Sequence, residues 1–221
     1  MNSLKERLTA RRIFGYLLGM LILAFGIAAS VRSNLGSSPV ASVPYMFNLL
    51  THVDMGVMTI VWQSFLVLLQ FLILRREFSP FSLLQLITGF VFGYFNSFAI
   101  WVLSFFPMPT SIVVRLMCTA CGFVVGGFGV WLYSTSDVIN MPSEGIVMVI
   151  AKKLGKPFHI IKIFFDIFSV VFAGLGCLIG IRSLGSVGIG TVTIAVMLGT
   201  MVGLYERFWG KRLRAWLGVD K

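Results

Sequence analysis

Few side chains in this sequence can do chemistry, and most of them sit beside prolines or inside long apolar runs. Glu144 lies in "MPSEG", residues 141–145, after a proline and a serine and ahead of the apolar run "IVMVIA". A carboxylate in the first turn of a helix is stabilised by the free N–H groups there. At membrane depth it either caps the helix or carries a proton or cation. Asp137, Asn140 and Ser143 complete its polar lead-in, "TSDVINMPSEG". A second polar patch, "LGSSPVASVPY" at residues 35–45, holds Ser38, Ser42, Pro39 and Pro44. Lys162 and Asp166 are four apart in "PFHIIKIFFDIFSV", which puts them on one helix face as an ion pair, structural or coupled to a solute. Gln63, Gln70, Gln85 and Asn96 are amides inside apolar runs, suited to hydrogen bonds between helices.

Other chemistry is poorly represented. There is no GxSxG, HExxH or P-loop pattern, so no enzyme activity is expected. His52 and His159 are the only histidines and lie in no cluster of ligand spacing, so neither a metal nor a cofactor is expected. Cys118 and Cys121 form a CxxC, but within the apolar run "LMCTACGFVVGGFGVWLY" they read as small buried packing residues. The formal net charge of +10 comes from 18 basic and 8 acidic residues. Most of the basic ones stand at the ends of apolar runs, which fits membrane topology and anionic lipid rather than nucleic acid.

The elements that must position these groups are membrane spans. Of the 221 residues 57% are hydrophobic and only 12% charged, about half the charged share of a soluble domain. Several apolar runs reach the roughly 20 residues needed to cross a bilayer. The first, "IFGYLLGMLILAFGIAAS", is longer than a signal-peptide core and is read as a retained span.

The chain falls into two similar halves. A shift of 103 residues places Gly19 on Gly122, Gly26 on Gly129, Ser33 on Ser136, Pro39 on Pro142 and Gln63 on Asp166. A shift of 110 then places Gly89, Gly93 and Phe98 on Gly199, Gly203 and Phe208. Each half reads as a long span, a short polar-headed segment and two more long spans. These fall at about 13–31, 38–51, 56–74 and 81–103, then about 112–134, 140–151, 158–181 and 187–206. About 14 helical residues reach only ~21 Å, short of the ~30 Å hydrocarbon core. The short segments therefore read as re-entrant, tolerable only if buried in protein or lining a wet cavity.

Three crossings per half is an odd number, so the halves take opposite orientations. The expected fold is an all-α polytopic membrane protein of two inverted repeats, about 13–103 and 112–208, each with three transmembrane helices and one re-entrant or broken helix. The whole chain, 1–221, is one domain. Its tail, 209–221, is basic, carries Trp209 and Trp216, and reads as an interfacial anchor. With the N-terminus inside, Lys5, Arg7, Arg11, Arg12, Arg75, Arg76, Lys152, Lys153, Lys156, Arg207, Lys211, Arg212, Arg214 and Lys221 are cytoplasmic. Only Arg32, Arg115 and Arg182 face outward. Ser38 is a good N-cap and Met141 a poor one, so the second cap is expected from Asn140 or Asp137. Pro39 and Pro142 suit a first helical turn, while Pro44 should kink or restart its helix. The GxxxG pairs Gly89/Gly93 and Gly199/Gly203 are expected to let helices pack closely.

"LGSSP" after a first span, "MPSEG" in the second half and "GIGT" opening the final span resemble the YczE/YitT-like family of bacterial integral membrane proteins. The resemblance implies a bacterial inner membrane protein and a small-solute transporter. Two functions are consistent with the residues. One is a secondary transporter or channel for a small polar or anionic solute, bound by Ser38, Ser42, Asn140, Ser143 and Glu144, with Asp137, Lys162, Asp166 and Gln63 in coupling or ion-pair roles. The other is a non-transporting membrane partner of a biosynthetic or signalling complex. Expected partners are the solute, membrane lipid and a second copy in a homodimer, with no nucleic acid.

The topology has a direct test. With Cys118, Cys121 and Cys177 replaced, single cysteines beside Arg76 and beside Lys153 should both be shielded from a thiol reagent confined to the outside. Labelling beside Arg76 from outside would restore eight full spans.

Overall fold

The computed structural model describes residues 8–219. Lys5, Arg7 and Lys221, placed above on the cytoplasmic side, lie outside them. Eight α-helices account for nearly all of this stretch: α1 Ala10–Ser33, α2 Pro39–Thr51, α3 Met55–Leu74, α4 Leu84–Ser104, α5 Ile112–Ser136, α6 Pro142–Leu154, α7 Phe158–Ile181 and α8 Ile189–Leu217. Short 3-10 turns at Arg75–Glu77 and Pro80–Leu83 join α3 to α4. Six helices are long and apolar enough to cross a membrane; α2 and α6, with 13 residues each, are not.

Corresponding elements begin and end at corresponding residues. The 103-residue shift carries Pro39–Thr51 onto Pro142–Leu154, the start of α3 at Met55 onto Phe158, and the end of α1 at Ser33 onto Ser136. Both α1 and α5 stop in the same way. Asn34 and Asp137 adopt left-handed backbone conformations, φ 51° and 47°, and donate their N–H groups to Val31 and Ser134. Asn and Asp tolerate that region better than other side chains that bear a Cβ.

The core is an antiparallel crossing of α1 and α5 in which backbones touch. A Cβ added at Gly19 would lie 2.5 Å from the Tyr133 nitrogen. One at Gly26 would lie 2.5 Å from the Cα of Gly126. Only glycine allows this approach. Lipid gives helices no hydrophobic drive to associate, so close packing of this kind must hold them together. Charged groups secure the ends. Arg115 donates from Nε to the Ser33 carbonyl at 2.7 Å and from its guanidinium to Asn34, satisfying the last carbonyls of α1. Its counterpart Arg12 does the same for the end of α8, donating to Leu217 and Gly218.

Each short helix packs on a long helix of the other half, α2 on α7 and α6 on α3. Helix α5 ends with Ser136 against Gly15 in the early turns of α1. Helix α6 ends where Lys153 meets Glu77 at 3.3 Å, in the α3–α4 turn. The chain between them thus enters the bundle and returns to the face it left. On the opposite face, Ser37 donates through both N–H and hydroxyl to the Ser186 carbonyl, at 3.1 and 3.2 Å, and Gly190 donates to Leu35 at 2.8 Å. These bonds hold the extended approach to α2.

Several expectations need correction. The final helix runs unbroken to Leu217, past the end expected near residue 206, so the basic residues 209–217 form its last turns. Pro44 lies inside α2 without dividing it. Cys121 is exposed, not buried. The two GxxxG pairs also differ. A Cβ at Gly93 would collide with Ile60 and come within 2.7 Å of the Gly56 carbonyl, so α3 and α4 are tightly apposed there. Gly199 and Gly203 have nothing within 4 Å, because α7 and α8 stand apart where α3 and α4 pack together.

That difference predicts unequal costs for equivalent substitutions. Gly93→Leu must displace backbone and should destabilise the protein by about 1–3 kcal/mol, read as a lower melting temperature in detergent. Gly203→Leu should melt like the wild type. Equal losses at both sites would mean that α7 and α8 are closed in solution.

Candidate functional site

The two short helices point their N-termini into one cavity of about 120 Å³, lined by Ser38, Pro39 and Val40 from α2 and its approach, and by Met141, Ser143 and Glu144 from α6 and its approach. Tyr133 from α5 and Lys162 and Asp166 from α7 complete the polar lining, and Leu23, Ile27, Ile194 and Leu198 are among its apolar walls. The residues before each helix, Ser38 and Met141, adopt the extended conformation of an N-cap, yet neither makes a side-chain cap hydrogen bond. Ser38 therefore does not cap, and the N-cap position of α6 is held by Met141 rather than by Asn140 or Asp137. Pro39 and Pro142 have no N–H to satisfy. The first-turn donors of Val40 and Ser143 belong to residues on the cavity wall, as expected of a helix terminus that meets a ligand or water. Pro44 also removes the intrahelical donor for the Val40 carbonyl, four residues back.

Glu144 is partly buried and accepts a short hydrogen bond from the Tyr133 hydroxyl. Tyr133 is itself buried on α5 and stacks edge-on against Tyr16 of α1, with centroids 6.1 Å apart. Gln63 Oε1 and Asn96 Oδ1 are buried without a hydrogen-bond partner among the described residues. Lys162 and Asp166 form the ion pair that their spacing predicts, about a quarter exposed. The charge balance follows from these groups. Two carboxylates oppose one ammonium and two helix N-termini, each worth about half a positive charge. These charges sum to a cavity close to neutral, with Lys162 paired to Asp166 and Glu144 in the first turn of α6.

Of the residues selected from sequence, Ser38, Ser143, Glu144, Lys162 and Asp166 line this cavity, and the others do not. Ser42 is fully buried and donates to the Pro39 carbonyl at 2.7 Å, within its own helix. Asn140 is exposed, its amide against the Met148 sulfur at 3.1 Å. Asp137 is exposed and serves as the left-handed terminus of α5. Gln63 is buried beside Gly89, which also borders Pro142, so it stands near the proline of the opposite half's short helix. Asp166, its counterpart, stands near Pro39. Gln70 binds this region together, donating to Gln85 Oε1 at 3.0 Å and to the Pro142 carbonyl at 3.2 Å. Sequence reasoning does not single out Tyr133. A tyrosine near the end of a span reads as part of an interfacial aromatic belt, and nothing local marks it as the partner of a carboxylate eleven residues on.

Fold and site together define a polytopic α-helical membrane protein with a largely apolar internal cavity, between two similar halves, that holds Glu144 and the Lys162–Asp166 pair. The chain belongs to a family of unknown function, DUF6198, whose model matches residues 10–207. It is 28% identical over 193 residues to an uncharacterized protein of Haemophilus influenzae, covering 86% of this chain and 80% of that one. It is 27% identical over 187 residues to the uncharacterized protein YyaS of Bacillus subtilis, covering 85% and 88%. To the uncharacterized membrane protein YczE of the same organism it is 26% identical over 200 residues, covering 90% and 86%. This similarity agrees with the resemblance drawn from "LGSSP", "MPSEG" and "GIGT". No solved structure matches.

The Tyr133–Glu144 bond can be weighed by a double-mutant cycle. Tyr133→Phe and Glu144→Leu should each lower stability, and their coupling should be about 1.5–3 kcal/mol, the range for a hydrogen bond to a charged group. Additive losses in thermal unfolding would show that the two side chains do not interact.

Proposed function

We propose that the protein is a secondary transporter or channel for a small polar solute, held in the cavity between two inverted repeats. The observation that carries this reading is the convergence of two helix N-termini, neither with a side-chain cap, on one cavity that also holds Glu144 and the Lys162–Asp166 pair. An anchor or scaffold has no need to enclose two helix N-termini and three ionisable side chains at membrane depth, where each is costly. Broken or short helices facing a midplane site are a recurrent solution for moving polar solutes across a bilayer. The antiparallel α1–α5 crossing supports the inverted relation of the halves.

The near-neutral charge balance favours a solute with both a donor and an acceptor end over a simple anion. Lys162 and the helix N-termini suit the anionic or carbonyl end, and Glu144 suits a proton or an ammonium. Basic residues support an orientation with both termini cytoplasmic in a bacterial inner membrane. Arg75, Arg76, Lys152 and Lys153 cluster around Glu77 at one face, and Arg12 meets the end of α8 at the same level.

The test is uptake by proteoliposomes of labelled amino acids, amines and small anions, with and without a proton gradient. A zwitterionic solute should accumulate when the gradient is present. Glu144→Gln should abolish that accumulation while leaving counterflow exchange intact. Absence of uptake for every class, or full gradient-driven uptake by the variant, would remove the transport reading or the role of Glu144 respectively.

A further inference from the structure

The repeat is broken at one place, and the break adjoins the cavity. In the first half the Gly89/Gly93 face of α4 is sealed against α3 by Ile60 and Gln63. In the second half the equivalent face of α8 is open, leaving a groove of about 320 Å³ between α7 and α8. Its walls are Ile163, Ile167, Val170 and Val171 on one side and Val192 and Val196 on the other. Pro39, Asp166 and Ala195 belong both to this groove and to the central cavity, so the two spaces share a wall. The central cavity thus adjoins the outer side of the bundle at Pro39, Asp166 and Ala195.

We infer that the groove is a lateral portal, and that the solute is a zwitterionic amphiphile whose charged head occupies the cavity and whose apolar chain lies between α7 and α8. This rests on the transport reading above and names its substrate class. Charge complementarity decides the occupant. The head region offers carboxylates for an ammonium, with Lys162 and two helix N-termini for an anionic group, while the groove beyond Asp166 is aliphatic. A second copy of the chain packed into the groove would have to cover Asp166 with apolar side chains, an unfavourable burial of charge. A solute confined to water would gain nothing from an aliphatic wall continuous with its site.

The experiment uses the full chain in nanodiscs and a homologous series of 2-aminoalkanoic acids, from alanine to 2-aminodecanoic acid, with binding measured directly. Burying each added methylene in the groove should tighten binding roughly fourfold, the equivalent of ~0.8 kcal/mol. Alkylamines and alkanoic acids of the same length, each with half the head, should bind at least tenfold more weakly. Val192→Trp and Ile167→Trp, each a large side chain placed in the groove, should flatten the dependence on chain length while alanine binding persists. Binding of alanine with no gain along the series would overturn the portal and leave the transport reading standing. No binding by any member would overturn the portal and its substrate class, and the transport reading would then stand or fall on the uptake measurement alone. Dimers in the nanodisc that Val192→Trp disrupts would assign the groove to a second copy and also overturn the proposal.

Discussion

An extended peptide segment at membrane depth must be walled off from lipid, because hydrocarbon offers nothing to its N–H and C=O groups. Residues 34–38 and 137–141 are the non-helical links that lead into the two short helices. Each is launched by a left-handed residue at the end of a long helix, Asn34 or Asp137. The short helix that follows is held by a long helix of the other half. The first segment bonds to Ser186 in the α7–α8 connection and to Gly190 in the first turn of α8. The start of α6 after the second is held by Gln70. The opposite half supplies the larger part of the wall against which each short helix packs.

The α1–α5 crossing makes this exchange possible. Gly19, Gly26 and their partners bring two backbones together, and both short helices begin at the one cavity beside this crossing. Arg12 and Arg115, one at each face, satisfy helix-terminal carbonyls with charge-assisted hydrogen bonds. The outer surfaces follow from the solvent. Phe164, Phe168 and Ile179 stand more than half exposed, a pattern that would drive aggregation in water and is matched to lipid here.

Sequence periodicity and self-similarity alone determined the number of long spans, the two short segments, their prolines and the correspondence of Gln63 with Asp166. These are local or repeat-encoded properties: span length follows from bilayer thickness, and a duplicated unit repeats its caps and turns. The Lys162–Asp166 pair was legible for the same reason, since i,i+4 spacing on a helix fixes proximity. The presence of Ser38, Ser143 and Glu144 in the short-segment heads was visible, and their meeting at one cavity was expected from the repeat. Tertiary packing decided which heads face inward. Ser42 lies one helical turn too far along α2 and bonds its own backbone, while Asn140 and Asp137 lie outside the cavity wall. The Tyr133–Glu144 bond depends on how residues 137–141 turn the start of α6 back toward the last turns of α5. The two GxxxG pairs read alike in sequence, yet one is a sealed seam and the other an open face. That choice rests on the spacing of α7 and α8, which no local pattern encodes.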